Sequence, residues 1–256
     1  MSPARSAARG GRPESGPRPD PSGPSVVALI PAAGFGTRYH DTGEPKALVP
    51  LAGRPLIVHA IARLAASGRV DRAVVAVPEG TEAAFRRALA GSPIPVVLVA
   101  GGPTRRESVA NAFAASKAGP EDLVCVHDAA RPLVDPAEVA AVIDAAAATG
   151  AAISGFFVID TVKRVHGGTI LETVPREELF AATTPQVFRA SVLGPAVAAG
   201  ASDATDDAQI VERSGAEVRV VLGSRWNVKV TYPEDLAVAE ALLSLSGAPA
   251  AGRGEG

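Results

Sequence analysis

Short, nearly continuous apolar runs alternate along the chain with longer Ala-rich segments in which apolar residues recur every three or four positions. VVALIP, RAVVAVP, PVVLVAGG and LVCVHD are of strand length and show no polar face, the pattern of strands buried on both sides. Between them, RPLIVHAIARLAASG sets Leu56, Ile57, Ala60, Ile61 and Leu64 on one helical face and closes at Gly68 as a C-cap. TRRESVANAFAASKAG opens with Thr104 and Glu107 at capping-box spacing and places Val109 and Phe113 four apart. DPAEVAAVIDAAAATG has Asp135 as N-cap, Pro136 at the first helical position and Glu138 at the third. Strands alternating with helices predict an α/β fold: a doubly wound, Rossmann-like, mostly parallel sheet with right-handed crossovers and helices on both faces.

The alternation breaks after Phe157. VIDTVKRVHGGTILETVPREELF alternates polar and apolar residues on either side of HGG, so an inserted β-hairpin arm is predicted over about residues 157–180. Two strands alone are marginal in water, so the arm is expected to pack on a second subunit and make the protein a homodimer. Beyond it, TDDAQIVERSGAEVRVVLGS, NVKVT and PEDLAVAEALLSL predict helix, strand, strand and a closing helix. Residues 1–24, rich in Pro, Gly, Ser and Arg, lack the apolar centre of a secretory signal and read as a disordered tail. Residues 247–256 read the same way, leaving one folded domain over 25–246.

Composition narrows the function. Hydrophobic residues make up 47% of the 256, ample for a large core. A net charge of −2 provides no global field for nucleic acid or an anionic membrane, so an anionic substrate must be met by local cations. Cys125 is the single cysteine, which excludes a disulfide framework and a cysteine-rich metal site and suits a reduced, cytoplasmic setting. No apolar stretch approaches the roughly 18 residues of a spanning helix.

The candidate chemistry begins where the first strand ends. In doubly wound sheets, ligands sit beyond the carboxyl ends of the strands. LIPAAGFGTRYHDTGEPKALVP lies there. Gly34 and Gly36 permit positive φ and close backbone approach, so that successive N–H groups can face phosphate oxygens, while Arg38 and Lys46 meet the charge at two separated places. A dinucleotide fingerprint is excluded because Tyr39 stands where a third glycine is required, and no Walker A lysine pattern is present.

PAAGFGTR, EPKALVPLAGRPLI, GGPTRRESV, HDAARPLV, DTVKR, TTPQVF, ATDD and NVKVTYPEDLAVAE follow one another in order. On these motifs the sequence resembles the 2-C-methyl-D-erythritol 4-phosphate cytidylyltransferases of the non-mevalonate isoprenoid pathway, over roughly Val26 to Leu243. The resemblance implies a homodimeric α/β nucleotidyltransferase. It joins CTP to the phosphate of methylerythritol phosphate and releases pyrophosphate with Mg²⁺.

The residues suit that chemistry. A phosphate monoester, with a second pKa of about 6, is already mostly dianionic at neutral pH. It needs no general base; it needs cations, in-line positioning and stabilised transition-state charge. None of the four histidines forms a catalytic constellation, and His127 reads as a packed supporting residue. By resemblance, Arg38, Lys46 and Lys229 contact the transferring phosphate. Ala32, Ala33, Gly34, Gly36, Gly102, Ser108 and Asp128 bind the nucleotide, with Asp128 also holding Mg²⁺. Arg131, Thr161, Arg176, Thr184, Thr205 and Asp206 serve the polyol phosphate, Arg176 reaching from the return strand of the arm into the neighbouring subunit. From the residues alone, Asp128 and Arg131 could equally be an ion pair closing a strand, and Thr205 could simply cap the helix that follows. Pro103 departs from the family, which often has an acidic residue there, and Trp226 replaces a small or acidic one. A ribitol 5-phosphate cytidylyltransferase is the nearest alternative, although those relatives tend to show Val at the position of Ala130. A catalytically silent nucleotide-binding regulator would be expected to lose Arg38, Lys46 or Lys229, and all three are present.

Overall fold

The computed structural model describes residues 23–34, 44–199 and 204–246. The readings of residues 1–24 and 247–256 as tails therefore fall, from residue 22 back and from 247 on, outside the described residues, as do Gly36 and Arg38.

In chain order the elements are β1 (Val26–Pro31), a 3₁₀ turn (Lys46–Leu48), β2 (Pro50–Leu51), β3 (Arg54–Pro55), α1 (Leu56–Ala66), β4 (Arg72–Val77), α2 (Glu82–Ala88) and β5 (Val96–Ala100). Then come α3 (Arg105–Ser116), β6 (Leu123–Val126), α4 (Pro136–Thr149), β7 (Ala151–Phe157), β8 (Val162–His166) and β9 (Thr169–Val174). The chain continues through β10 (Phe180–Arg189), α5 (Ala190–Ala199), α6 (Asp207–Arg213), β11 (Arg219–Leu222) and α7 (Pro233–Ser246).

Seven strands form one sheet in the order β11-β7-β10-β6-β1-β4-β5. All neighbouring pairs are parallel except those of β10, which runs antiparallel to both β6 and β7. The reason lies in the connection. Between β7 and β10 the chain makes only the arm and no crossover helix, and a direct return lays a strand antiparallel to the one it left.

The continuous apolar strands are divided between two layers. Along β1, Val26, Ala28 and Ile30 face a core shared with α1 and α4, while Val27 and Leu29 face one shared with α3, α5 and α6. Helices thus cover both faces, and a strand such as β1 has no polar face because it has no solvent side. Thr104 and Glu107 form the predicted capping box of α3, and the Asp135 side chain accepts from Ala137 N at the start of α4.

Three expectations are corrected. PVVLVAGG forms β5 but is not buried on both sides: it is an edge strand of the sheet, and Val97 is half exposed. NVKVT forms no strand. This segment has already left the sheet after β11 and crosses beyond the strand ends, where single bonds such as Val230 N to Ala130 O (2.9 Å) replace a ladder. Arg176 does not sit in the return strand of the arm, because β9 ends at Val174. It lies at the base of the arm, where its Nη1 donates to the Ile159 carbonyl of the same chain.

The hairpin itself is as predicted. β8 and β9 pair only with each other in the described sheets and turn at Gly167 and Gly168, both at positive φ (55° and 79°) as a tight hairpin turn requires. Val165, Ile170 and Leu171 on it are more than half exposed.

Candidate functional site

The carboxyl ends of β1, β5 and β6 open onto a cleft of about 400 Å³, lined by residues 31–34, 46–47, 102–105, 108, 128–130, 229 and 231. Five of the predicted nucleotide residues meet there besides Asp128: Ala32, Ala33, Gly34, Gly102 and Ser108. Lys46 and Lys229 join them from opposite ends of the sequence.

Local packing explains much of the lining. Gly34 is not at positive φ, and a Cβ there would meet nothing within 4 Å among the described residues. The Lys46 amide closes the loop by donating to Gly34 O at 3.3 Å. The close approach is instead at Gly101 and Gly102, where a Cβ would run into Ala33 and into Glu107. Gly101 lets the β5–α3 connection press against the loop after β1, and Gly102 lets it press against the first turn of α3. Ser108 is buried and its hydroxyl is engaged locally, accepting from Gly102 N at 3.1 Å and donating to Thr104 O at 3.0 Å. It fastens the glycine pair to the first turn of α3.

Asp128 is the electrostatic centre. Its Oδ1 accepts from Arg105 Nε at 3.0 Å, its Oδ2 lies 2.7 Å from Lys229 Nζ, and Arg131 Nε stands 3.9 Å from Oδ2. The Arg105 guanidinium also reaches Asp207 Oδ2 at 2.7 Å. Three cations therefore surround two carboxylates. Burial alone would push the Asp128 carboxyl upward, but Arg105, Lys229 and Arg131 outweigh it and hold the group well below the ordinary carboxylate range. Asp207, buried more deeply, is raised despite Arg105. Burial likewise works against the charge of Arg105, and the two carboxylates more than compensate.

His127 is fully buried and burial pushes it down to about 4, so it is neutral at pH 7. Its hydrogen bonds fix the tautomer. Nε2 lies 3.1 Å from the Arg131 carbonyl, which can only accept, so Nε2 carries the proton. Nδ1 then accepts from the Thr184 hydroxyl at 3.2 Å, and Thr184 Oγ1 in turn accepts from Asp128 N at 3.0 Å. His127 is a supporting residue, as its sequence context suggested, and Thr184 holds the backbone beneath Asp128.

The remaining predicted substrate residues lie apart from this lining. Asp206, not Thr205, is the N-cap of α6: its oxygens accept from Gln209 N (2.9 Å) and Gln186 Nε2 (2.8 Å). Thr205 is exposed, with its amide on Gln209 Oε1 at 2.8 Å. Thr161 is exposed at the root of the arm, near Arg176. Trp226 is also exposed, and nothing in the structure explains its presence.

Arg105 and Asp207 escaped the sequence reading, yet each left a trace. A cation at the first position of α3 faces the positive end of the helix dipole, an unfavourable placement unless an anion compensates it. A second acid directly after the capping Asp206 is more than a cap needs.

Fold and cleft together define a Rossmann-like α/β protein with a cation-lined cleft at the carboxyl ends of its strands. A family model described as IspD: 2-C-methyl-D-erythritol 4-phosphate cytidylyltransferase matches residues 26–245. A protein of that name from Rhodopirellula baltica is 44% identical over 233 residues, covering 86% of this chain and 95% of its own. Its counterpart from Deinococcus radiodurans is 45% identical over 227 residues, covering 88% and 92%. The crystal structure of the Thermus thermophilus protein superposes with a TM-score of 0.71 at 36% identity, over 86% of this chain and 99% of that one. The chain belongs to the 2-C-methyl-D-erythritol 4-phosphate cytidylyltransferase family.

Two outcomes follow from these electrostatics. The unfolded chain protonates His127 near pH 6.5 and the folded one only near 4. Stability is therefore full above about pH 6.5 and falls as pH drops toward 4, by about 2 kcal/mol at pH 5. Urea unfolding of wild type and His127→Asn at pH 7 and pH 5 checks this; equal slopes with pH in the two proteins would refute it. Arg105→Met leaves Asp207 buried without its cation and should cost about 3 kcal/mol, part of which Asp207→Asn should restore. An Arg105→Met protein with an unchanged urea midpoint would sink this account of the pair.

Proposed function

We propose that this chain transfers CMP from CTP to 2-C-methyl-D-erythritol 4-phosphate, giving 4-diphosphocytidyl-2-C-methyl-D-erythritol and pyrophosphate. The observation that carries the reading is the cation ring at Asp128, set in a cleft that Lys46 also lines, in a member of this family. The names of the relatives favour methylerythritol phosphate over ribitol 5-phosphate as acceptor. Pyrophosphate release from CTP with a panel of polyol phosphates tests it directly.

An oxygen of the acceptor phosphate forms the new bond to the α-phosphorus, and the bond from that phosphorus to the bridging oxygen of pyrophosphate breaks. No proton has to be removed from a dianionic acceptor. The chain's contribution is charge and placement. Lys46 and Lys229, with Arg38 from the same loop motif as Gly34 and Gly36, neutralise the triphosphate as charge develops. The backbone at Ala32, Ala33 and Gly102, with Ser108 behind it, holds the cytidine. Arg131, Thr184, Thr205 and Asp206, with Thr161 and Arg176 of the arm, take the polyol phosphate.

Asp128 is the only carboxylate among the described residues lining the cleft, and no group of three or more His, Cys, Asp or Glu among the described residues could hold a metal. This donor set does not fit an all-protein cage. It fits Mg²⁺, which keeps several waters and is bound by one or two carboxylates together with substrate phosphates. The ion would supply neutralisation of triphosphate oxygens.

The exposed apolar residues of the arm support a homodimer in which each arm serves the neighbouring site. No described helix is long and apolar enough to cross a membrane, and a cytoplasmic enzyme is proposed.

Lys46→Ala should lower kcat by on the order of a hundredfold or more while KM changes little, because the contact strengthens as the transition state forms. Near wild-type turnover in steady-state assays would overturn the assignment of Lys46. Arg176→Ala should chiefly raise KM for the polyol phosphate. Mixing Arg176→Ala with Lys46→Ala subunits should restore one intact site per heterodimer; mixtures that exchange subunits yet stay inactive would refute the shared site.

A further inference from the structure

Lys229 sits on a segment with no ladder to hold it. From Gly223 to Tyr232 the chain forms neither helix nor strand, yet Lys229 Nζ is placed 2.7 Å from Asp128. A long side chain on a loose segment would give poor alignment of a phosphate-binding cation, so something must fix the backbone.

Glu138 provides the anchor. It occupies the third position of α4, where an acid usually does no more than complement the helix dipole from the surface. Here the side chain is buried, 7% exposed, and reaches away from its helix. Oε2 accepts from Ser224 N at 2.8 Å. Oε1 accepts from Asn227 Nδ2 at 3.1 Å and from the Ser154 hydroxyl. One carboxylate thus grips the segment at two residues and ties both to β7. Asn227 extends the grip, its Nδ2 donating also to Thr184 O at 2.8 Å and its carbonyl accepting from Arg131 Nη1 at 2.7 Å. The fit is close: a Cβ on Gly223 would overlap both Ser154 Oγ and the Glu138 carboxylate.

We propose that Glu138 is a positioning residue for Lys229: it touches no substrate, and its carboxylate holds the Ser224–Asn227 turn so that Lys229 meets the transferring phosphate. The inference rests on the phosphate role given to Lys229 above. The chemistry requires a carboxylate. All three partners donate, and a glutamine in the same pose must turn its own N–H₂ toward at least one donor, losing that bond and setting two donors against each other.

The test is a double-mutant cycle on the intact enzyme. Glu138→Gln should lower kcat tenfold or more while KM for CTP changes less than about threefold, since displacements near 1 Å weaken alignment more than binding. In the Lys229→Ala background the same substitution should change kcat less than about twofold, because the group it positions is gone. Gly223→Ala, which displaces the turn while leaving the carboxylate intact, should show the same dependence on Lys229, and it carries the test if Glu138→Gln does not fold by circular dichroism. An impaired Lys229→Ala protein in which both substitutions keep their full effect overturns the positioning role alone. A Lys229→Ala protein with full turnover overturns the phosphate role of Lys229, and this inference with it.

Discussion

One carboxylate organises the site. Asp128 is the common counter-ion for groups from three distant parts of the chain: Arg105 at the start of α3, Arg131 in its own loop, and Lys229 after β11. Without a central anion these cations would repel one another in a cleft partly screened from water, where unit charges a few ångströms apart interact by several kcal/mol. With it, they are held close and aimed into one space. The buried Asp207 does the same for the far side of Arg105, so neither end of that guanidinium is free to swing.

The sheet explains why these groups can meet. β6 ends at Val126, and the next two residues are His127, locked neutral beneath the surface, and Asp128. The antiparallel β10 runs alongside β6 and brings Thr184 under the Asp128 amide. A helical crossover at that point in the chain would have made the strand parallel and carried Thr184 elsewhere. The arm inserted between β7 and β10 therefore does two things at once: it reverses the strand, and it presents a hairpin with exposed Val165, Ile170 and Leu171.

What could be read from the sequence was whatever repeats or whatever is local. The buried strands β1, β4 and β6, the capping box at Thr104 and Glu107 and the hairpin turn at Gly167 and Gly168 are written in neighbouring residues and stand as read, whereas β5 is a strand at the sheet edge and not a buried one. That Gly34 and Lys46 belong to one cleft was legible because a turn needs fewer glycines and no cations. Arg105, Asp207 and Glu138 were not, because each acts at a distance. Arg105 and Asp207 are 102 positions apart and Glu138 and Asn227 are 89 apart, and no window of sequence joins them. NVKVT misled for the opposite reason: its alternation of side chains is that of a strand, but an extended chain becomes a strand only in a ladder, and here the described backbone contact with the body is the single bond from Val230 N to Ala130 O.

The charge balance of the cleft links this architecture to its chemistry. Three cations against two carboxylates leave an excess of one positive charge among these five groups. That excess is modest compared with the charge of a triphosphate, and the difference is instructive. A cleft of bare cations would bind the ground state of any polyanion tightly, which lowers KM without raising kcat. Cations already held by carboxylates in fixed directions attract a polyanion less, but they need little reorganisation when charge moves onto the leaving pyrophosphate. The counter-ions thus trade ground-state affinity for alignment, which is the exchange that phosphoryl transfer without a general base depends on.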